Sequence, residues 1–435
     1  MDSIKVGLLG LGVVGGGTYK VLARNAQEIA RRAGRKIEVT RVAVRDVAKA
    51  RTLLGPDLMV GVDPFEVVRD PSIDIVVELI GGDTLARELV LEAIAQGKHV
   101  VTANKALLAK YGTEIFAAAS ARGVMVAFEA AVAGGIPIIK AIREGLTANR
   151  IEWVAGIING TTNFILSEMR ARGLPFATVL AEAQKLGYAE ADPTFDIEGV
   201  DAAHKLTLLA SLAFGIPVQF DKAYIEGISQ LAAEDIKLAE RLGYRIKLLG
   251  ITKRRPEGIE LRVHPALVPV KSLLANVEGA MNAVLVCGDA VGQTLYYGKG
   301  AGEEPTASAV VADLVDVTRL HTADPEHRVP HLAFQPDAMS DTPILSIDDV
   351  VTSYYLRLTV ADQPGVLAEL ARVLADRKIS IGSMIQQPAE QGADAELIFL
   401  THEAIERNVN AAIVKIEALP FVRSRVTRLR MESLA

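Results

Sequence analysis

IKVGLLGLGVVGGG, residues 4–17, is the stretch that decides how this chain folds. A short apolar run is followed by a G-x-G-x-x-G turn, and we predict a helix over 18–32 behind it. In that order, the first glycine allows a tight turn, the second lets a pyrophosphate approach the backbone, and the third lets helix and strand pack closely. The alternative is a glycine turn without a ligand. A dinucleotide would meet Gly10, Gly12, Val13, Val14 and Gly15.

The second predicted strand, 37–44, bears on the choice of cofactor because it ends in Arg45 and Asp46. An acidic residue at this strand end suits the ribose hydroxyls of NAD, whereas an arginine suits the 2′-phosphate of NADP. Arg45 comes first, so we predict NADP. Asp46 leaves NAD open.

Further strand and helix patterns alternate after this point and predict a parallel sheet with helices on both faces. The apolar strand 73–80 is interrupted by Glu78 near its end, and strands at 99–102 and 124–128 follow. The carboxyl ends of parallel strands face the ligand crevice. Lys105, just after strand 99–102, is therefore a candidate for contact with cofactor and substrate. Its alternative is a surface lysine that opens the next helix.

The stretch 187–205, GYAEADPTFDIEGVDAAHK, combines many acidic residues with one lysine. Pro193 and Gly199 predict a loop, from which several carboxylates could point into one cavity. Asp201 and Lys205 then share one face of a helix that enters an apolar core. A partly desolvated lysine beside carboxylates suits proton transfer. The alternative is a solvated acidic loop with a surface ion pair. The five carboxylates are Glu190, Asp192, Asp196, Glu198 and Asp201.

Two other turns could receive an anion. The polar turn NGTTN, 159–163, precedes a helix predicted from Phe164, and it could hold a small carboxylate or only cap that helix. The glycine-rich run 298–302 precedes Pro305 and a helix predicted over 306–320. Proline in the first turn and glycines before it are typical of a helix N-terminus that can meet an anion.

Composition narrows the class of protein. The 435 residues are enough for two or three domains, and the net charge of −6 argues against a nucleic-acid surface. No apolar run approaches a membrane span and no signal-peptide pattern is visible. A single cysteine, Cys287, excludes internal disulfides and a cysteine-based zinc site, and we predict it to be buried and inert. We expect a soluble, cytoplasmic protein.

The last part of the chain has a separate pattern. Residues 325–353 are rich in proline and irregular, which predicts a linker. After them comes a βαββαβ order, which predicts a ferredoxin-like unit. Its strands are predicted at 354–360, 379–386, 395–401 and 422–430, with helices at 365–377 and 408–419.

Together these stretches resemble homoserine dehydrogenase of the longer bacterial kind, and the resemblance covers essentially the whole chain. It is carried, in order, by GLGVVGGG, TANKALLA, GGIPIIKAIREGL, INGTTNFIL, GYAEADPTFDIEGVDAAHKL and GAGEEPTASAVVAD. The resemblance implies an α/β fold of three domains. These are a Rossmann-type nucleotide-binding domain over 1–135, completed by a helix at about 303–322, an α+β substrate and dimerisation domain over 136–302, and, after a linker over 323–353, a ferredoxin-like ACT domain over 354–435.

The resemblance also implies an activity. The family reduces L-aspartate 4-semialdehyde to L-homoserine with NADPH or NADH, on the pathway to threonine, methionine and isoleucine. Lys205 would donate the proton, Lys105 would stand near the reacting carbon and the nicotinamide, and Asp201 would hold substrate or orient Lys205. Glu190 would bind the substrate ammonium, and Gly302 would touch the cofactor from the far side. The implied substrate residues are Gly160, Thr161, Tyr188, Glu190 and Asp196.

A monovalent cation, sodium or potassium, is implied as well. The family places it on the carboxylate of Glu129 and on the backbone oxygens of Val132, Gly134 and Ile136. These residues form a glycine-rich turn after a strand, and such a turn can offer carbonyl oxygens to a hard cation. One departure from the family concerns Phe195, which stands where some members carry an acidic residue.

The tail DQPGVLAELARVLADRKISI, 362–381, is similar to ACT domains. Such domains pair edge to edge and bind amino acids, which implies threonine as a feedback inhibitor near Gly365 and Ile381. The alternative is a purely dimerising module. A homodimer or homotetramer is expected.

Single residues distinguish this activity from two alternative functions. A phosphorylating semialdehyde dehydrogenase needs a nucleophilic cysteine at the crevice, and Cys287 lies in an apolar stretch far from the motifs. A non-catalytic amino-acid sensor would be favoured by loss of Lys205, Lys105 or Glu190, and all three are present.

Overall fold

The computed structural model describes residues 3–56, 58–387 and 394–434, which form two sheets and the helices packed on them. The strands are β1 Ile4–Leu9, β2 Ile37–Ala43, β3 Met59–Gly61, β4 Ile75–Glu78, β5 His99–Thr102, β6 Val126–Ala127, β7 Ile151–Ile157, β8 Tyr224–Ile225, β9 Tyr244–Arg255, β10 Gly258–Pro269, β11 Met281–Gly288, β12 Gly292–Lys299, β13 Val351–Val360, β14 Ile381–Gln387, β15 Ala395–Thr401, β16 Ala404–Ile405 and β17 Thr427–Met431.

The helices range from single turns to five turns. They are α1 Val13–Arg24, α2 Ala26–Ala33, α3 Val47–Arg51, α4 Pro64–Arg69, α5 Thr84–Ala95, α6 Lys105–Arg122, α7 Ile138–Lys140, α8 Gly160–Arg172, α9 Phe176–Lys185, α10 Thr194–Ile197, α11 Val200–Phe214, α12 Ala233–Arg241, α13 Glu303–Leu320, α14 Val366–Asp376 and α15 Glu406–Glu417. In the described parts of the chain, no helix is long and apolar enough to cross a membrane.

The first sheet has six strands in the order β3-β2-β1-β4-β5-β6, and every neighbouring pair is parallel. The strand order reverses between β1 and β4, so their carboxyl ends open a crevice of the kind that receives dinucleotides. The late helix α13 returns to this sheet and packs against α1. A Cβ at Gly17 would lie 2.7 Å from the Glu303 side chain, and Lys20 pairs with Glu303 at 2.7 Å.

The single helix predicted over 18–32 is wrong in two respects. Helix α1 begins at Val13, inside the glycine turn, because the glycines there leave room for a helix directly against the strand: a Cβ at Gly15 would lie 2.2 Å from the Gly10 carbonyl oxygen. The helix also stops early, because α1 ends at Arg24 and its C-cap Asn25 donates its amide to the Val21 carbonyl. Asn25 is at the same time the N-cap of a second helix, α2.

The second sheet has eleven strands and joins the middle of the chain to its C-terminal part. Its main path runs β12-β11-β7-β9-β10-β17-β13-β15-β14, with β16 on β13 and β8 on β10. The junction is a short parallel pairing of β10 with β17, Ala266 with Arg430 and Leu267 with Met431. The C-terminal unit is therefore hydrogen-bonded edge to edge onto the middle of the chain.

The C-terminal unit has the predicted βαββαβ order, with the small strand β16 added. Helices α14 and α15 bury Leu370, Val373 and Val409 against the strands. Its boundaries differ from the prediction at both ends, since β13 begins at Val351 and the last strand begins only at Thr427. The α/β fold class predicted from the sequence is confirmed.

The proline-rich segment predicted as a linker over 325–353 is irregular apart from single 3-10 turns up to 350, and its last three residues belong to β13. It is also packed onto the middle of the chain. Pro343 accepts a hydrogen bond from the Ile259 amide at 2.8 Å, and Ile259 accepts one from the Leu345 amide at 2.8 Å. The ring of Phe334 lies so close to Gly215 that a Cβ there would come within 2.8 Å of it.

Cys287 is not buried, contrary to the prediction. It lies on β11 with intermediate exposure, and its Sγ is 4.0 Å from a carboxylate oxygen of Glu152. Partial burial and the Glu152 charge raise the pKa of the thiol. The thiolate is thus disfavoured, in keeping with an unreactive cysteine.

Candidate active site

Two lysines from distant segments meet on one buried carboxylate. Lys205 Nζ lies 2.6 Å from Asp201 Oδ2, and Lys105 Nζ lies 3.1 Å from Asp201 Oδ1. Lys205 also donates to the Ile158 carbonyl at 2.7 Å. The Asp201 and Lys205 side chains are 5% and 11% exposed, whereas that of Lys105 is 33% exposed. Lys105 is thus the more accessible member of the cluster.

Local sequence explains why each group stands where it does. Gly199, with φ 82°, provides the left-handed turn from which α11 starts, and Asp201 and Lys205 follow one helical turn apart on the same face. Lys105 is the first residue of α6, directly after β5, and its position is fixed by Asn104, whose side chain accepts from the Leu107 amide at 3.1 Å.

Burial and the two ammonium groups set the charges in the cluster. Burial raises the pKa of Asp201, but the positive charges of Lys205 and Lys105 outweigh it, and the net pKa lies below its ordinary value. Burial lowers the pKa of Lys205, and the Asp201 charge offsets only part of that effect. An ionised Asp201 beside a lysine with a depressed pKa can orient a proton donor.

Asn159 holds the cluster together, although the sequence predicts it only as part of a polar turn. Its Nδ2 donates to Asp201 Oδ2 at 2.8 Å and to Asp196 Oδ1 at 2.7 Å, while its Oδ1 accepts from the Thr162 amide at 2.8 Å. Helix α8 accordingly begins at Gly160, earlier than predicted. The capping residue type was the only local signal.

Of the five carboxylates in 187–205, two converge on this point, Asp196 and Asp201. Burial and the Asp201 charge raise the pKa of Asp196, which the Asn159 amide opposes. Asp192 instead accepts from the Thr194 amide at 3.1 Å. The loop predicted between Pro193 and Gly199 is wrong in detail, because α10 occupies it and aims Asp196 inward.

The other substrate candidates lie at the start of α8 and in the segment between α9 and α10. Thr161 Oγ1 donates to the Tyr188 carbonyl at 2.7 Å, and the Tyr188 ring packs on Phe164 with 4.5 Å between centroids. Gly160 lies against the Ala280 carbonyl, 2.8 Å from where a Cβ would stand. Glu190 is exposed, and its carboxylate makes no hydrogen bond or ion pair within the residues that the structure describes.

A buried histidine beside the cluster carried no sequence signal. His204 is 2% exposed and stacks edge-on between Phe195 and Phe220, with centroids 5.3 and 4.2 Å away. Burial lowers the pKa of His204 to about 4, so the ring is neutral. Phe195 also faces Lys105, whose Nζ lies 6.0 Å from the ring centroid.

The glycine turn has the geometry that an approaching phosphate needs. Gly10 has φ 91°, and no atom lies within 4 Å of a Cβ built on Gly12, which caps α1. Val13 and Val14 form the first turn of that helix. Gly302, with φ 128°, caps α13, which lies beside α1.

At the end of β2, Arg45 and Asp46 have different surroundings. Asp46 accepts from the Lys49 amide at 2.9 Å and caps α3, so its carboxylate is already engaged. Arg45 is exposed and makes no side-chain hydrogen bond or ion pair within the described residues.

The turn after β6 places a second buried carboxylate near the glycine-rich run before α13. Glu129 accepts from the amides of Ile139 and Lys140, both at 2.9 Å. Burial raises the pKa of Glu129, and burial with the Glu129 charge raises that of Asp313 to about 8. Gly134 is so close to the Gly300 carbonyl oxygen that a Cβ would lie 2.5 Å from it.

This turn contains the four residues assigned to a cation, and its left-handed residues Ala133 and Gly134 reverse the chain between Val132 and Ile136. Across the described residues there is no group of three histidine, cysteine or acidic side chains that could hold a metal ion. A cation here would depend on Glu129 and on backbone oxygens, a donor set that suits sodium or potassium.

Comparison with known proteins gives consistent results over the whole chain. Family profiles described as homoserine dehydrogenase, NAD binding domain, as homoserine dehydrogenase, and as ACT domain match residues 10–129, 137–315 and 354–421, respectively. A homoserine dehydrogenase of Pseudomonas aeruginosa is 64% identical over 100% of both chains.

Solved structures agree. The homoserine dehydrogenase from Thiobacillus denitrificans has a TM-score of 0.96 and 69% identity, covering 100% of this chain and 99% of that one. A hyperthermophilic archaeal homoserine dehydrogenase in complex with NADPH has a TM-score of 0.64 and 26% identity, covering 74% of this chain and 99% of that one. The chain described here therefore belongs to the homoserine dehydrogenase family of NAD(P)-dependent oxidoreductases and carries a C-terminal ACT domain.

Proposed function

We propose that this enzyme reduces L-aspartate 4-semialdehyde to L-homoserine, reversibly, on the pathway to threonine, methionine and isoleucine, with Lys205 as the proton donor. The observation that carries the proposal is the convergence of Lys205 and Lys105 on Asp201. A binding-only protein would have no need of two lysines on one buried carboxylate, since burying such charges costs several kcal/mol before pairing.

The proton step follows from the contacts of Lys205. The bound nicotinamide cofactor supplies the hydride to the aldehyde carbon. The carbonyl oxygen then gains negative charge and needs a proton, which the Lys205 ammonium donates. Asp201 and the Ile158 carbonyl hold two of its N–H groups at 2.6 and 2.7 Å, which leaves the third for the substrate oxygen. Lys105 faces the same carboxylate and stabilises the developing charge.

The substrate also carries one ammonium and one carboxylate, and the approach to the cluster can hold both. Glu190 is exposed and unpaired among the described residues, so its carboxylate can bind the ammonium group. The turn at Gly160 and Thr161, at the N-terminus of α8, offers backbone amides to the carboxylate. Asp196 and Tyr188 border the same space.

The cofactor of choice is proposed to be NADP. At the end of β2 one oxygen of the Asp46 carboxylate caps α3, which leaves only Oδ2 to accept from a ribose hydroxyl. Arg45 is exposed and free to meet a 2′-phosphate. The assay that tests both function and cofactor follows absorbance at 340 nm with aspartate semialdehyde and either NADPH or NADH. We expect turnover with both and a lower KM for NADPH. Tight cofactor binding without turnover would instead support the sensor function.

We further propose that sodium or potassium binds at Glu129 with the backbone oxygens of Val132, Gly134 and Ile136. Two buried acidic groups, Glu129 and Asp313, lie close together there, with the Glu129 amide donating to Asp313 at 2.8 Å. A cation would stabilise their ionised forms, which burial disfavours. It would also stabilise the contact between this turn and the glycine-rich segment that leads to Gly302.

Thermal unfolding tests the cation site without any activity measurement. We expect potassium or sodium chloride to raise Tm saturably, because a ligand of the folded state stabilises it by about 2.7 kcal/mol at a hundredfold excess over Kd. Choline chloride at equal ionic strength is the control. The variant Glu129→Gln should lose the difference between the salts. Equal stabilisation by choline would exclude a specific site.

We also propose that threonine inhibits the enzyme through the ACT domain, near Gly365 and Ile381. Gly365, with φ 93°, starts α14, and Ile381 starts β14. An effect of threonine on the active site would be transmitted through Glu226, where the ACT domain contacts the middle of the chain. Its Oε2 accepts from Arg430 at 2.9 Å and from Arg428 at 3.2 Å.

The route continues in the segment behind Glu226. A Cβ at Gly227 would lie 2.5 Å from the Ile197 carbonyl oxygen, and the Ile228 amide donates to that oxygen at 2.8 Å. Ile197 is the last residue of α10, and α11, which carries Asp201 and Lys205, begins at Val200. Movement of β17 would therefore reach Asp201 through tightly packed backbone.

Inhibition assays test this coupling. We expect threonine to inhibit the wild type and to inhibit Glu226→Gln at least about fivefold less effectively, since couplings of this kind amount to about 1–3 kcal/mol. Activity without threonine should be unchanged. The control Asp376→Asn loses only an exposed ion pair with Lys415 and should behave as wild type. A wild type insensitive to threonine would leave the ACT domain as a dimerising module.

A further inference from the structure

Glu78 is a buried carboxylate that the proposed reaction does not use. It is 0% exposed at the end of β4, where Ile75, Val76 and Val77 are all apolar. Placing a charge in such a strand costs several kcal/mol, and an apolar residue would pack equally well. Strand formation therefore does not account for this residue.

The carboxylate of Glu78 links two segments that follow neighbouring strands. Its Oε1 accepts from the amides of Ile80 and Gly81 at 3.0 and 3.2 Å, and its Oε2 accepts from Thr102 Oγ1 at 2.6 Å. Burial raises the pKa of Glu78, and these donors oppose that rise by stabilising the ionised form. One side of the carboxylate holds the loop after β4, and the other holds the end of β5.

The loop held by Glu78 runs beside the glycine turn. A Cβ at Gly10 would lie 2.8 Å from the Leu79 carbonyl oxygen. Gly81 and Gly82 both have left-handed backbones, with φ 71° and 73°, and nothing lies within 4 Å of a Cβ built on either. The loop 80–82 is thus tightly bent, open on one side, and located at the crevice where β1 and β4 end.

The other side of the link leads to Lys105. Thr102 Oγ1 accepts from the Asn104 amide at 3.0 Å. The Asn104 side chain caps α6 through the Leu107 amide and donates to the Gly82 carbonyl at 2.6 Å. The start of α6, with Lys105 as its first residue, is therefore attached both to Thr102 and to the loop.

We propose that Glu78 is a positioning residue for Lys105, acting through Thr102 and Asn104 to keep the crevice loop and the start of α6 in one arrangement. The inference rests on the proposed role of Lys105 at the reacting carbon. Loss of the link would let α6 shift relative to Asp201. Misplacement of a reacting group by about 1 Å can cost about a hundredfold in rate.

The matched pair Thr102→Val and Thr102→Ser tests the link, because valine keeps the shape of threonine without its hydroxyl and serine keeps the hydroxyl. We expect kcat of Thr102→Val to fall by about tenfold to a hundredfold, with the affinity for NADPH nearly unchanged. The primary deuterium isotope effect on kcat, measured with NADPH deuterated at the transferred position, should rise because hydride transfer becomes limiting. Thr102→Ser should keep both values near wild type.

A merely structural role would lower the amount of folded enzyme and leave the isotope effect unchanged. Glu78→Met provides a second variant if Thr102→Val does not fold, since methionine has a similar length and accepts neither from Thr102 nor from the loop amides. A double variant with Lys105→Met should be no slower than Lys105→Met alone, because both changes act on one group.

The outcomes separate this inference from the proposed function. A wild type without turnover on aspartate semialdehyde would refute the function. An active wild type, with Thr102→Val or Glu78→Met equal to Thr102→Ser in kcat and isotope effect, would overturn the role of Glu78 alone. Additive losses in the double variant would also overturn it.

Discussion

Replacement of Lys205 by methionine is expected to lower kcat for aspartate semialdehyde reduction by about three orders of magnitude. Methionine fills similar volume but cannot donate a proton, and positioned general acids contribute about 10²- to 10⁴-fold. Lys205 is buried and bonded to Asp201 and the Ile158 carbonyl, so no water replaces it readily. The measurement is steady-state NADPH oxidation, with circular dichroism and NADPH binding to show an intact fold.

The pH dependence of the wild type provides a second readout of Lys205. Reduction needs the charged ammonium, and burial lowers the Lys205 pKa from the ordinary 10.5. Reduction should therefore decline above an apparent pKa below 10.5, while homoserine oxidation, which needs the neutral amine as base, should rise over the same interval. Retention of activity in Lys205→Met would transfer the proton step to Lys105.

Replacement of Asp201 by asparagine is expected to have the second largest effect, on activity and on stability together. Asparagine has the same shape, but it leaves two ammonium groups without their shared counter-charge. Removing one partner of a buried ion pair costs about 3–5 kcal/mol, and kcat should fall by about a hundredfold because neither lysine is then held in place. Urea unfolding and steady-state kinetics measure the two effects.

The pH profile of Asp201→Asn carries a directional test. The Asp201 charge raises the pKa of Lys205, so its removal should move the alkaline decline of reduction to lower pH. Asp196→Asn is the comparison variant, because Asp196 bonds Asn159 and forms no ion pair with either lysine in the described parts of the chain. The Asp196 charge raises the pKa of Lys205 less than the Asp201 charge does, so its removal should shift the profile less. An unshifted profile in Asp201→Asn would show that Asp201 does not set the state of Lys205.

The nucleotide-binding half was predictable because its signals are local. The glycine turn requires a left-handed Gly10 and a side-chain-free Gly15, and both requirements are visible in fourteen consecutive letters. In the same sheet, β4 and β5 are buried along their whole length. The break at Asn25 was not predictable, because both halves of the predicted helix have good helical residues and the change occurs in capping alone.

The candidate site was predictable as a set of residues but not as an arrangement. The i,i+4 spacing of Asp201 and Lys205 needs only a helix, which the sequence indicates. The arrival of Lys105 on the same carboxylate depends on how α6 and α11 pack. Asn159, 42 residues before Asp201, bonds two carboxylates through a contact that no local pattern encodes. Glu78 was visible as an interruption in a strand, without its partners.

The sequence by itself determined the glycine turn, the alternation of strands and helices in the nucleotide-binding half, the βαββαβ order of the C-terminal unit, the family and the residue types that the chemistry needs, because each depends on neighbours along the chain. The tertiary structure alone decided which carboxylates meet the lysines and that β17 joins β10. It also decided that Thr102 and Asn104 connect Glu78 to Lys105. These contacts depend on the directions of side chains and on the pairing of distant segments. A single hydrogen bond contributes only about 1 kcal/mol, so the packing of the elements decides which contact forms, and the spacing of residues along the chain does not.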